Sequence, residues 1–146
     1  MILVDFHERH ANQILQGNVN DELFRPPIKI SKFVNTVAVK DMSFTGLING
    51  KIVACGGVYP VWEGVGEAWF LGSNLVHKHR VPVLKALKQH LDGMMRVHQL
   101  HRVQGHILED WPGARRWIKF LGMQEEGLLR KFSPDGSNYI NFSKVI

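Results

Sequence analysis

Residues 114–145 read ARRWIKFLGMQEEGLLRKFSPDGSNYINFSKV, and the way this stretch divides decides the fold. Ala114, Ile118 and Leu121 repeat at helical spacing along one stripe, while Arg115, Arg116 and Lys119 gather on another. Gly122 follows the last apolar residue, where a helix ends in a left-handed residue that glycine adopts at least cost. EGLLRKF then predicts a strand, Pro134-Asp135-Gly136 a turn, and NYINFS a final strand. A short helix that runs directly into a late strand pair is expected to cover one face of a sheet.

Upstream, RVQGHIL (102–108) alternates as a strand does. Before it, Pro82 suits the first position of a long helix, with Val83, Leu84, Leu87, Leu91, Met94 and Met95 as its apolar stripe. EAWFL (67–71) alternates again, placing Glu67, Trp69 and Leu71 on one face and Ala68 and Phe70 on the other; WEGVG (62–66) reads as the loop before it. SFTGLI (43–48) and KIVACGGVY (51–59) are strand-like runs joined by Asn49-Gly50, the strongest two-residue hairpin signal. The second run is apolar on both faces, as an interior strand is. Near the start, Asp5 with Glu8 forms an acidic version of the capping box. The helix behind it would carry Phe6, Ala11, Ile14 and Leu15 inward and stop at Gly17. Pro26-Pro27 breaks the chain, and Ser31 can cap a second short helix burying Val34, Val37 and Ala38. The β-branched residues of that segment suit a strand nearly as well.

The 146 residues fit one domain with a real hydrophobic core, and neither a repeat nor a composition break divides them. Hydrophobic residues make up 45% and charged ones 21%, an ordinary balance for a globular chain. No apolar run is long enough for a membrane span, and MILVDFHERH lacks the basic start and apolar run of a signal peptide. Cys55 is the single cysteine, which excludes an intrachain disulfide and suits a reducing cytoplasm. A net charge of +5 attracts anions without choosing among them. The basic residues are scattered, without interleaved aromatics, so nucleic acid is not an expected partner.

The strand–helix–strand unit in the middle implies a parallel pair, and the hairpins imply antiparallel neighbours. The sum is a mixed α+β chain whose sheet is mostly antiparallel, with helices packed on it. That order, with Ala114, Leu121, Gly122, Met123, Glu126, Gly127, Arg130, Asp135 and Gly136 in their places, resembles the C-terminal half of the GNAT N-acetyltransferase superfamily. The middle section ACGGVYPVWEGVGEAWFL is similar to small GNAT-like proteins of tailed bacteriophages. The resemblance implies a single acyltransferase domain over 1–146: a twisted, mostly antiparallel sheet with one splayed parallel strand pair and helices on both faces. It implies transfer of an acetyl group from acetyl-CoA to an amine, of a small molecule or a protein, in the cytoplasm (a host's, if the chain is phage-encoded).

In the family, acetyl-CoA lies where the two parallel strands part, here EAWFL and RVQGHIL. Its pyrophosphate rests on backbone amides of a glycine-rich loop opening the long helix. That loop reads SNLVHKHRVP here: it lacks the glycines, and Pro82 has no N–H. The resemblance places the cofactor against Leu71, Gly72, Ser73 and Asn74, and against Lys78, His79, Arg80 and Val81, where side-chain charge would hold phosphate. HKHR also reads as an ordinary solvated basic loop. His77 and His79 lack nearby cysteine or carboxylate ligands, so no metal is expected. Glu67 matches the acidic base of the family's strand, with His106 on the neighbouring strand in reserve; each could equally be a solvated strand residue. The Asn and Tyr found in many members fall here on Trp111 and Ile118, neither of which can protonate a thiolate. Two functions therefore stand: an acetyltransferase, or a catalytically degenerate protein of this shape that acts by binding, in virion assembly or against a host protein.

Overall fold

The computed structural model describes residues 1–16 and 36–146. The elements are β1 (Ile2–Asp5), α1 (Glu8–Gln16), β2 (Ser43–Ile48), β3 (Lys51–Trp62), β4 (Val65–Gly72), α2 (Leu75–Lys78), α3 (Arg80–Val97), β5 (Arg102–Leu108), α4 (Ala114–Phe120), β6 (Gln124–Leu129) and β7 (Tyr139–Val145). Seven strands form one sheet in the order β1-β2-β3-β4-β5-β7-β6. β4 and β5 are parallel; the pairings of β1 with β2, β2 with β3, β5 with β7 and β7 with β6 are antiparallel. This is the mixed, mostly antiparallel sheet expected from the element order. Among the described residues no helix is long and apolar enough to cross a membrane.

Two compact units are present, Met1–Tyr59 with Ala68–Val83, and Pro60–Glu67 with Leu84–Ile146. In the first, Asn49 and Gly50 both adopt positive φ, 50° and 74°, as a two-residue hairpin of this kind requires. Its core gathers Ala11 and Ile14 of α1 with Val37, Cys55, Trp69 and Leu71, and Phe6, Leu15, Ala38, Ile52 and Tyr59 pack against them. Burial pushes the Cys55 thiol up to about 12, so it serves as a small core side chain.

The start of the chain departs from expectation. Asp5 closes β1 rather than capping a helix. The histidines do the capping. The Arg9 N–H donates to His7 Nδ1 at 3.1 Å, and the His7 N–H donates back to His10 Nδ1 at 3.1 Å, the reciprocal pattern of a capping box. The predicted stop at Gly17, the Pro26-Pro27 break, Ser31 and Val34 lie outside the described residues.

The apolar stripe from Val83 to Met95 lines the long helix as expected, but that helix begins at Arg80, and a separate turn, α2, precedes it. The loop before β4 is only Glu63-Gly64, since β3 runs to Trp62 and β4 starts at Val65. The opening helix is present as read: Ala114, Trp117 and Ile118 are buried. Gly122 has φ +75°. Its N–H reaches Lys119 O at 3.1 Å, while the Met123 N–H reaches Ile118 O at 3.0 Å, the paired bonds of a Schellman ending. Gly122→Ala is expected to destabilise the chain by about 1–2 kcal/mol, the cost of a left-handed residue carrying a Cβ, read as a lower urea midpoint with unchanged slope.

β6 pairs with β7 out of step between Glu125 and Gly127, so Glu126 is the extra residue of a bulge. The bulge turns Glu126 toward Arg102 of β5, reaching past β7. The guanidinium grips the carboxylate with two hydrogen bonds, Nη1 to Oε2 at 3.0 Å and Nη2 to Oε1 at 2.6 Å. Arg102, and then the Ser143 hydroxyl, hold the Glu126 carboxyl below its ordinary 4.5. A depressed folded value gives stability that is present above the unfolded value and lost as pH falls through the folded one. The difference in urea midpoint between the wild type and Glu126→Gln is therefore expected to be widest near neutrality and to close below the ordinary carboxylate range.

Candidate active site

β4 pairs with β5 at three positions, Val65 with Arg102, Gly66 with Val103 and Glu67 with Gln104. β4 continues beyond Glu67 to Gly72, and β5 continues beyond Gln104 to Leu108. The paired register thus ends at Glu67. Since Glu67 stands opposite Gln104, the next residue of β5 on its face is His106. The two side chains meet, His106 Nε2 lying 2.9 Å from Glu67 Oε1, and they are 28% and 19% exposed respectively. The pair is thus partly buried and still reachable from water. The two residues offered separately by the sequence thus form one group.

Three side chains that sequence reading did not single out gather beside them. The Phe132 ring, from the β6–β7 loop, lies 5.1 Å from His106 and 5.2 Å from Tyr139. Asn141 is the cross-strand partner of His106 on β7. The loop that carries Phe132 is built by its own hydrogen bonds. The Phe132 N–H donates to Ser137 O at 3.0 Å, the Gly136 N–H to Ser133 O at 2.9 Å, and the Lys131 N–H to Asn138 Oδ1 at 3.0 Å. Asp135 takes the Ser137 N–H at 2.9 Å and the Ser133 hydroxyl.

The residues expected to hold the cofactor lie in the other unit. Leu71 and Gly72 end β4, buried. A Cβ on Gly72 would stand 2.9 Å from Val76 Cγ2, so this glycine lets α2 pack close. Ser73 is bound up with β3 and α2: its hydroxyl lies 2.7 Å from Val53 O and 3.1 Å from Ile52 O, and it accepts the Leu75 N–H at 3.2 Å. Asn74 is exposed at the N-cap of α2 without a side-chain capping bond. His79 breaks the chain between α2 and α3, its N–H donating to Leu75 O at 3.0 Å. Lys78, Arg80 and Val81 are exposed there, and one Arg80 guanidinium nitrogen is 2.9 Å from His77 Nδ1. Trp111 and Ile118, which the resemblance set at the Asn and Tyr positions, are buried apolar residues in the second unit. Trp111 meets Trp117 edge to face at 4.6 Å. Trp69 belongs to the core of the first unit.

No protein-family model matches the sequence, and no curated protein matches it at a significant level. Solved structures do. A GNAT-family acetyltransferase from Bacillus anthracis is 16% identical, with 98% of this chain and 93% of that one superposed at a TM-score of 0.73. The ribosomal-protein-S18-alanine N-acetyltransferase from Escherichia coli is 16% identical, with 99% and 93% covered at a TM-score of 0.75. A spermidine N-acetyltransferase mutant from Vibrio cholerae is 14% identical, with 99% and 95% covered at a TM-score of 0.72. The chain has the GNAT fold. At such identities the likeness is one of architecture, and the chemistry rests on the residues themselves.

Proposed function

We propose that residues 1–146 form a single N-acetyltransferase domain that moves an acetyl group from acetyl-CoA to an amine in the cytoplasm. The observation that carries this reading is the Glu67–His106 pair, 2.9 Å apart, at the last paired position of β4 and β5. An amine acceptor arrives as an ammonium and must lose a proton before its nitrogen can attack. A carboxylate with an imidazole at hydrogen-bond distance can take that proton. Acetyl-CoA supplies the activated acyl group. Its thiolate can leave without a protein acid, since thiols ionise near about 8.5. That makes Trp111 and Ile118 tolerable at the positions where the resemblance implies Asn and Tyr.

The residues present fit the cofactor by charge more than by loop geometry. Lys78, His79 and Arg80 would hold its phosphates, and the amides of Arg80 and Val81 open an 18-residue helix whose positive end favours an anion. Pro82 withholds the next amide. The backbone of Leu71, Gly72, Ser73 and Asn74 would take the pantetheine arm and the acyl oxygen. In this reading Ser73 acts through its backbone, because its hydroxyl is already engaged by β3.

Calorimetric titration with acetyl-CoA tests the proposal. Binding heat and a raised melting temperature are expected; neither heat nor shift at millimolar cofactor would end it. A second reading draws on the buried Trp111 and Ile118: a GNAT-shaped protein of a tailed bacteriophage that works by binding, in virion assembly or on a host protein. Under that reading Glu67→Gln leaves the biological effect intact.

A further inference from the structure

Two histidines close the start of α1, and both do so through the same ring atom. His7 directly precedes the helix and His10 is its third residue, the spacing of a capping box. The Arg9 N–H donates to His7 Nδ1 at 3.1 Å, and the His7 N–H donates to His10 Nδ1 at 3.1 Å. The Thr45 hydroxyl, buried on β2, stands 2.9 Å from the same His10 nitrogen and fastens the turn to the sheet. A backbone N–H can only donate, so each Nδ1 must offer its lone pair, and each neutral ring carries its proton on Nε2. The residues usual in such a box are Ser or Thr followed by Glu or Gln, whose oxygens still accept in mild acid. A histidine loses its acceptor there.

A second proton on either ring turns Nδ1 into a donor facing another donor, and it sets a cation at the positive end of a helix. Thr45 can reverse its hydroxyl and accept from His10, whereas the amides of His7 and Arg9 have no such freedom. On its own turn His10 faces Arg9 and His7, and Asp5 and Glu8 are the acids that flank the turn in sequence. From β2 it faces the uncharged Thr45, and the Phe6 ring meets it edge-on at 6.3 Å. Burial, then Arg9 and His7, hold the His10 ring below the ordinary 6.5. With the folded value under the unfolded one, the unfolded chain takes up the proton first. The stability contribution is therefore present above the ordinary value and is lost as pH falls from there through the folded one. We propose that His7 and His10 form a proton-sensitive latch, which docks the first turn of α1 at neutral pH and releases it in mild acid. Ala11 and Ile14 of α1 share a core with Trp69 and Leu71 of β4, so release loosens the packing against that strand. The latch stands independently of the acetyltransferase reading.

The test is amide hydrogen exchange on the full chain, corrected for the intrinsic effect of pH. Protection in the first turns of α1 is expected to fall about fivefold between about pH 7.5 and about pH 5, the effect of losing an N-cap of ordinary strength. The amides of β5 should keep theirs. The double variant His7→Asn with His10→Gln retains both acceptors on side chains that do not titrate, and it is expected to hold its α1 protection over the same range. A long-range ¹⁵N–¹H NMR spectrum of the wild type near neutral pH checks the premise: both rings should show protonated Nε2 and bare Nδ1. A proton on either Nδ1 overturns the latch, even should the double variant fail to fold. So does unchanged α1 protection in the wild type, an equal loss in the double variant, or a parallel loss in β5, which would mark general acid unfolding.

Discussion

Glu67→Gln is expected to lower kcat for acetyl transfer by about 10²–10⁴-fold, the usual worth of a positioned base. The amide has nearly the shape of the carboxylate and can still meet His106, so the packing around it should persist. What it lacks is the negative charge that stabilises an imidazolium, and the lone pairs of an anion that would accept the acceptor's proton. Acetyl-CoA affinity should be unchanged, because the proposed function gives Glu67 the acceptor's proton and leaves the phosphates to Lys78, His79 and Arg80. Steady-state kinetics beside calorimetry separates the two effects. Full activity in Glu67→Gln would place the base elsewhere. Lost cofactor binding in the same variant would mean that Glu67 supports the strand rather than the chemistry.

The largest stability loss should come from Trp117→Ala, at about 3–5 kcal/mol. Trp117 is 7% exposed and packs edge to face on Trp111, so its removal leaves a large void and strips Trp111 of its aromatic neighbour. Arg116, one residue before it on the exposed side of the same short helix, makes the control: Arg116→Ala should stay within about 0.5 kcal/mol of the wild type. Chemical denaturation of both variants is the measurement. A mild effect for Trp117→Ala would mean that α4 can collapse onto the sheet without it.

Much of the architecture could be read from local chemistry. Asn49-Gly50 announces its hairpin because few other residue pairs accept two positive φ angles in succession. RVQGHIL and Gly122 are readable for similar reasons: one has strict alternation, the other follows the last apolar residue of a helix. The errors came where a local signal competes with a partner elsewhere. Residues 2–5 look too short to be a strand until β2 is there to pair with them. Asp5 and Glu8 mimic a capping box, but His7 and His10 occupy the capping positions, and His10 is also held by Thr45 at 2.9 Å. Pro82 is compatible with any position in a first helical turn, so it marks the helix without fixing its start.

The candidate site was half legible. Glu67 and His106 sit on strands whose alternation is visible, so each could be nominated. Their meeting depends on the β4–β5 register, which no local pattern encodes. Asn141, Phe132 and Tyr139 could not be found at all. They come beside His106 because β7, the last strand, inserts between β5 and β6, and chain order alone would put β6 there.

The bulge at Glu126 also shapes the free border of the sheet. β6 is the last strand of the sheet, and its outer side is a row of backbone groups on which another chain's strand could grow. The extra residue breaks the regular spacing of that row, and the clamp on Arg102 holds the break in place. Glu125 adds a charge, itself fixed by Arg115 at 2.7 Å. A concentrated solution of this protein should therefore resist fibre formation along that border, and loosening the clamp would expose a template for aggregation.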